Sequence, residues 1–550
     1  MKSIIFSFIL LFCSLSAFSQ SGSVQKVSKS VFTLTTFKKD GSVLASGYGI
    51  FIGTKGEAVS CWAPFVGADS AVVTDAGGKN YPVETMYGAS EVYDVCKFKV
   101  NAVTVPAVLA KSAMPVSTKL WQVEYSISKP VTLPLSVQKA ERFNSDYNYY
   151  LYTGSLEGLR SGCPAVNQRG EVVGMLQQSR VNETVYSIDL RYTDTFKTTG
   201  LSVNDPILQQ TGIRMALPDE VEQASLMLML AVGRFDTYKY QRYIDNFVEL
   251  FPRRADGYVA QAELYVNQHQ FEKAATVMTT ALAAVDKKDE VHYDYAKLIY
   301  QKEVKMRDIP YAPWTLDLAL NEAEKAYKLN ALPVYQHLQA QIIYYKGDYQ
   351  RALDMFLALT RTNLRNGELF YEAAQCKQQL KASSAEILAL LDSAVVAQPP
   401  HLSTPYLLAR ANTLSDQGQY RKAIVDYNRY DSLLSGRASH DFYYAKFLCE
   451  VQLRQFQQAL NDIAHAIVLN RTEPVYYAEM ARLQLRVNQL DDAIQTADLG
   501  LRVVPDYPDL YLMKGLALIN KKQKKEGIEM LKKAQTLGDT RAEELIKKYK

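Results

Sequence analysis

Residues 457–466 read QQALNDIAHA, residues 491–500 read DDAIQTADLG, and residues 525–534 read KEGIEMLKKA. The three strings superpose at a step of 34 residues, with Ala459, Ala493 and Gly527 at the third place and Ala466, Gly500 and Ala534 at the tenth. Small residues seven apart fall on one helix face, two turns from each other. A second helix can approach closely only along such a face. Another small position recurs in the helix before, as Ala262, Ala340, Ala411, Ala481 and Gly515. Helix pairs packed through these positions, each burying its remaining face on the next pair, make a solenoid. Ala274, Ala319, Ala352 and Ala423 carry the series backward, and Pro252, Pro399 and Pro505 close units. The spacing predicts about nine units over residues 219–550, the first degenerate and the last a lysine-rich polar cap. Two places depart from the rule. An insertion surrounds Met306–Pro313, and the unit holding Ala394 carries Ile387 where the alanine belongs.

These residues resemble tetratricopeptide repeats (TPRs). The resemblance implies a superhelical all-α solenoid whose first helices line a groove suited to extended peptides or a partner's helix. In register with the repeat, the groove positions are Glu263, His337, Gln341, Tyr344, Asn412, Tyr444, Arg482 and Arg486. Tyr258, Tyr443 and Tyr511 fall at the bulky inter-helix position and read as core. The groove positions carry no dominant charge, so the sign of a ligand stays open.

Working further outward, the period changes near Pro206–Pro218. Before it, Val31–Thr35, Tyr48–Ile52, Ala71–Thr74, Tyr149–Tyr152 and Glu171–Met175 are short β-rich runs between Gly, Lys and Asp turns. Such runs predict an all-β barrel or sandwich. Gly47–Ile52 with Gly56–Ser60, then Asp94–Val100, then Ser161–Asn167 with Gly170–Gly174 is similar, in order and separation, to trypsin-like serine proteases of the high-temperature-requirement (HtrA) type. The resemblance implies a double barrel over residues 20–200, joined to the solenoid by a linker at 201–218.

It also implies a catalytic triad, and here the sequence departs from the family. Ser161 stands at the nucleophile position and Asp94 at that of the orienting carboxylate, but the histidine position holds Ala63. Acyl transfer by this route requires a base beside the hydroxyl. All six histidines, His269, His292, His337, His401, His440 and His465, lie in the helical half. The oxyanion segment differs too, with Leu159 and Cys163 where the family places glycine. The reading is therefore a pseudoprotease fused to a protein-binding solenoid. The rival is an active HtrA-like serine endopeptidase using an unconventional base.

Lys2, the apolar run Ile4–Leu15 and Ala17-Phe18-Ser19 read as a signal peptide, residues 1–19, cleaved before Gln20. Secretion across the inner membrane, to a periplasm or beyond, is the expectation. No later apolar run reaches the length of a transmembrane helix. The net charge of +4 over 550 residues, without basic runs interleaved with aromatics, gives no footprint for nucleic acid. No ligand-spaced cysteine or histidine pair and no phosphate-binding glycine loop points to a metal or cofactor. Cys61, Cys96, Cys163, Cys376 and Cys449 remain after cleavage. On the family's fold the first three approach one region, either as small core residues or with Cys61 and Cys163 joined in a disulfide.

Overall fold

The computed structural model describes residues 22–144, 146–153, 158–178 and 184–550. The signal peptide read at residues 1–19 lies outside them. The chain divides into two compact units on either side of Lys287 and Lys288.

In the first unit, alternation of apolar and polar residues produces strands with one face in a core. β1 (Val31–Phe37), for example, buries Phe32, Leu34 and Thr36 while its intervening side chains are partly exposed from Thr33 onward. It joins β2 (Val43–Phe51), β3 (Glu57–Ser60), β4 (Ser70–Thr74), β5 (Asn80–Ser90) and β6 (Val95–Val100) in a closed barrel of order β1-β2-β3-β6-β5-β4. Antiparallel pairing of β1 with β4 closes the ring. Phe32, Phe51, Phe65 and Phe98 fill it, with ring centroids 4.7–6.0 Å apart.

Seven further strands are β7 (Val108–Leu109), β8 (Lys119–Val123), β9 (Thr132–Phe143), β10 (Tyr147–Thr153), β11 (Pro164–Val166), β12 (Glu171–Gln178) and β13 (Val185–Ile188). Their order is β11-β8-β9-β10-β13-β12-β7, and β11 also pairs with β12. That extra ladder closes a second six-stranded ring, leaving β7 as a parallel appendage of β12. The fold of this region is the trypsin-like double barrel. A core cluster drawn from both rings, including Ile50, Val59, Cys61, Val123, Val166 and Met175, lies where they meet.

The stretch at 201–218, read as a linker, is hydrogen-bonded onto the first barrel. Met86 N–H donates to Arg214 O and Ala216 N–H to Met86 O, both at 2.8 Å, and Gly67 N–H donates to Gln210 O at 2.7 Å. Met215 lies in one core cluster with Met86, Tyr243, Ile244 and Phe247. The first helices therefore share the barrel's core.

After a short α1 (Gly22–Lys26), the helices come in pairs: α2 and α3 (Val221–Ala231, Thr237–Leu250), α4 and α5 (Ala255–Asn267, Phe271–Ala284), α6 and α7 (Lys288–Lys305, Leu316–Leu329). Then follow α8 and α9 (Pro333–Tyr345, Tyr349–Leu359), α10 and α11 (Gly367–Gln379, Ser384–Val396), and α12 and α13 (Thr404–Asp416, Tyr420–Leu434). The last pairs are α14 and α15 (His440–Gln452, Phe456–Leu469), α16 and α17 (Pro474–Arg486, Leu490–Val503), and α18 and α19 (Pro508–Asn520, Lys524–Thr536), before a terminal α20 (Arg541–Tyr549). This is an all-α solenoid of TPR type. The alanines at 274, 319, 352, 423, 459 and 493 are all 0 % exposed, as close helix contact demands. The tyrosine rule has a physical basis as well. Tyr258, Tyr477 and Tyr511 each donate their hydroxyl to the carbonyl six residues earlier, on Pro252, Arg471 and Pro505, at 3.0–3.1 Å. Each of these hydroxyls ties down the turn that precedes its helix.

Candidate functional site

β3 ends at Ser60, whose hydroxyl donates to Tyr48 O at 2.7 Å. The chain then turns through Cys61 and Trp62 into a single 3₁₀ turn, Ala63–Phe65, with Pro64 suited to its first turn. Trp62 lies parallel to Phe65, with centroids 6.2 Å apart, so this turn is anchored from below. Asp94 sits at the β5–β6 corner with φ +42°, a left-handed conformation that aspartate tolerates better than most residues. From the second barrel, Gln177 Nε2 donates to Tyr93 O at 2.6 Å and to Asp94 O at 2.7 Å. This clamp holds the corner in place. The Asp94 carboxylate accepts the Ala63 backbone N–H at 2.7 Å. The structure thus brings Asp94 and Ala63, two of the three positions that the sequence reading assigns to a triad, into direct contact, with the carboxylate bonded to main chain.

Ser161 is exposed on the segment 158–163. Gln122 fixes that segment from β8: its Nε2 donates to Gly158 O at 3.0 Å and its Oε1 accepts Arg160 N–H at 2.9 Å. Gly162 has φ +89°, and a Cβ there would lie 2.2 Å from Tyr48 O. Only glycine fits. Since Ser60 bonds to the same Tyr48 carbonyl, the serine segment of one barrel reaches the strand of the other that leads to Ala63.

Cys61, Cys96 and Cys163 are buried free thiols. Burial pushes the Cys61 thiol well up, reinforced by the Asp94 carboxylate to which it hydrogen-bonds and by the neighbouring Cys96 and Cys163. Burial does the same to Cys96 and Cys163. The three do converge beneath the site, as small core residues without a disulfide. No trio of His, Cys, Asp or Glu among the described residues converges as a metal site, and no described helix is long and apolar enough to cross a membrane.

Along the solenoid, the groove positions divide. His337 Nε2 meets Glu372 Oε2 at 2.5 Å and Gln341 Nε2 donates to Glu372 Oε1 at 2.7 Å, linking α8 to α10. Burial alone would lower the imidazole's pKa, but the Glu372 hydrogen bond and charge outweigh it and raise it. Asn412 Oδ1 accepts from Tyr427 at 2.7 Å. Tyr444 packs against Tyr476 at 5.0 Å. Arg482 pairs with Glu479 at 2.6 Å, and the Arg486 guanidinium lies 4.8 Å from the Phe456 ring centroid. Tyr344 packs edge-on against Tyr345 and Tyr349. Glu263 is exposed on α4 in the other unit. Sequence reading missed Glu372, Tyr371, Gln375 and Gln378. The last three stand 34 residues after His337, Gln341 and Tyr344, so the repeat itself pointed to them.

No protein-family model matches this chain, and neither does any curated protein sequence. Among solved structures, it is similar to the Rv3671c protease of M. tuberculosis in its active form, with 16 % identity over 33 % of this chain and 85 % of that one, at a TM-score of 0.29. It is also similar to YrrB, described as a TPR protein with an unusual peptide-binding site, with 18 % identity over 35 % of this chain and 97 % of that one, at a TM-score of 0.32.

Proposed function

We propose that this chain is an exported protein-binding scaffold, in which the double barrel is catalytically silent and the helical repeats recognise a protein or peptide partner. The observation that carries this reading is the Asp94 carboxylate bonded to the Ala63 amide at 2.7 Å. A serine hydroxyl becomes a nucleophile only when a base accepts its proton, and the carboxylate's task is to orient that base. With alanine at 63 the carboxylate has no imidazole to orient.

Four further histidines have local partners, and His401 is exposed on the 3₁₀ turn Pro400–Leu402. His269 packs by Phe271 with centroids 6.1 Å apart, His292 Nδ1 meets Glu322 at 2.5 Å, His440 Nδ1 meets the Tyr476 hydroxyl at 2.8 Å, and His465 stacks on Tyr443 at 4.1 Å. A cysteine nucleophile is disfavoured by the same physics that stabilises the core, because burial keeps these thiols protonated. The leader sequence supports export to a periplasm or beyond.

Affinity capture from the cell envelope with full-length protein tests the reading. Wild type and Ser161→Ala should recover the same intact partners in equal amounts, and the double variant His337→Ala, Gln341→Ala should lose them. Partners that accumulate only on Ser161→Ala would be trapped substrates, which establishes the serine endopeptidase instead.

A further inference from the structure

At the small-residue position that opens the second helix of each pair from α5 to α19, Ile387 is the exception. Six alanines at this place are completely buried, whereas Ile387 is partly exposed. Its side chain lines a cavity of ≈ 400 Å³ bounded by α10, α11 and α12. That volume falls within the range of ligand pockets. Leu391 and Leu408 extend the aliphatic wall, while Gln375, Gln378 and Asn412 contribute carboxamides to its lining. A carboxamide carries one acceptor and two donors, the complement of a peptide unit. The Tyr427 hydroxyl bonded to Asn412 Oδ1 orients that amide with its N–H groups left for a ligand carbonyl. Neither lysine nor arginine lines the cavity, and Asp416 is its one charged group. A carboxylate ligand would meet no cation here and would face a like charge.

We propose that this cavity receives an aliphatic side chain from an extended, near-neutral peptide segment of the partner, with the carboxamides of Gln375, Gln378 and Asn412 meeting its backbone. This rests on the reading of the repeats as a peptide-binding element and names the class of peptide. The position that breaks the repeat's packing rule becomes its specificity pocket.

Selection of a random displayed peptide library against the full chain tests it, with the selected sequences then synthesised in capped form. Selected peptides should share one aliphatic residue among uncharged neighbours. Ala409→Leu, which places a larger side chain in the cavity lining, should weaken their binding by roughly tenfold or more, the effect of excluding one buried aliphatic side chain. Gln375→Ala should weaken binding while keeping the preference. An unchanged melting temperature shows that each variant is folded. Peptides that bind Ala409→Leu as tightly as wild type overturn the pocket and leave the broader reading standing. Acidic peptides, or peptides that need a free C-terminal carboxylate, overturn the proposed chemistry. A selection that yields no binder overturns both, as does a dimer in gel filtration that Ala409→Leu dissolves.

Discussion

Gly347, Gly418 and Asn488 lie two residues beyond the first helix of their pairs, with φ between +64° and +90°; at the same place His269, Lys381, Arg454 and Lys522 adopt φ of +55° to +67°. Every one of these turns needs a left-handed residue, so the four bulkier side chains store strain that glycine would not. Arg454 is exposed, and its replacement isolates the backbone effect. Arg454→Gly should stabilise the solenoid by about 0.5 kcal/mol, the difference between relieved strain and the extra freedom of unfolded glycine. Gly418→Ala should destabilise it by about 1 kcal/mol, since no neighbouring atom lies closer than 4.0 Å to the added methyl and only φ opposes it. Denaturant midpoints measured on both variants check the opposite signs. At the same scale the candidate site was legible only by position. The identities of Asp94, Ala63 and Ser161 could be read from the chain, but not the Gln177 clamp, which crosses from β12 to a loop more than eighty residues earlier.

Single elements show which parts of the fold the sequence encodes locally. The small residues at 459, 493 and 527 announce close helix pairs because the contact is made within one repeat. Strand pairing gives no such local signal. The β1–β4 ladder that closes the first barrel joins residues 33 to 41 apart, and nothing in either strand names its partner. Among α13, α14 and α15, a charge cluster also escaped notice because its members look like ordinary helix-surface residues. Lys446 Nζ lies 3.0 Å from Asp462 Oδ2 and 3.7 Å from Asp431 Oδ2, and Asp431 also accepts the Tyr443 hydroxyl at 2.8 Å. Glu450 is only 3 % exposed beside them. Burial first, then the charge and hydrogen bond of Asp462, push its carboxyl up to about 8. The folded state therefore holds a proton that the unfolded chain releases near the ordinary glutamate value. Its stabilising effect is complete at low pH and is lost as pH rises towards and through 8. Between pH 6 and 8.5 the wild type should lose about 2 kcal/mol from this group, whereas Glu450→Gln should stay nearly flat. Denaturant titrations across that window decide it; equal slopes contradict the account.

At the scale of the molecule, the compact boundary at Lys287 and Lys288 falls inside the repeats, not at the change of sequence period near Pro206–Pro218. The cause is visible in the core shared by Met86, Met215, Tyr243 and Phe247. A fragment ending at residue 200 loses the Arg214 and Ala216 backbone bonds and exposes that apolar surface. It should aggregate or melt well below a fragment ending at residue 287, as differential scanning calorimetry would show; equal melting temperatures contradict the shared core. The same architecture frames the central proposal, that the barrel is catalytically silent. The most direct measurement is labelling of purified full-length protein with a fluorophosphonate probe, alongside a Ser161→Ala variant and a competent serine hydrolase as control. The account predicts that wild type stays as unlabelled as the variant while the control reacts. Labelling of wild type that vanishes in Ser161→Ala would contradict it.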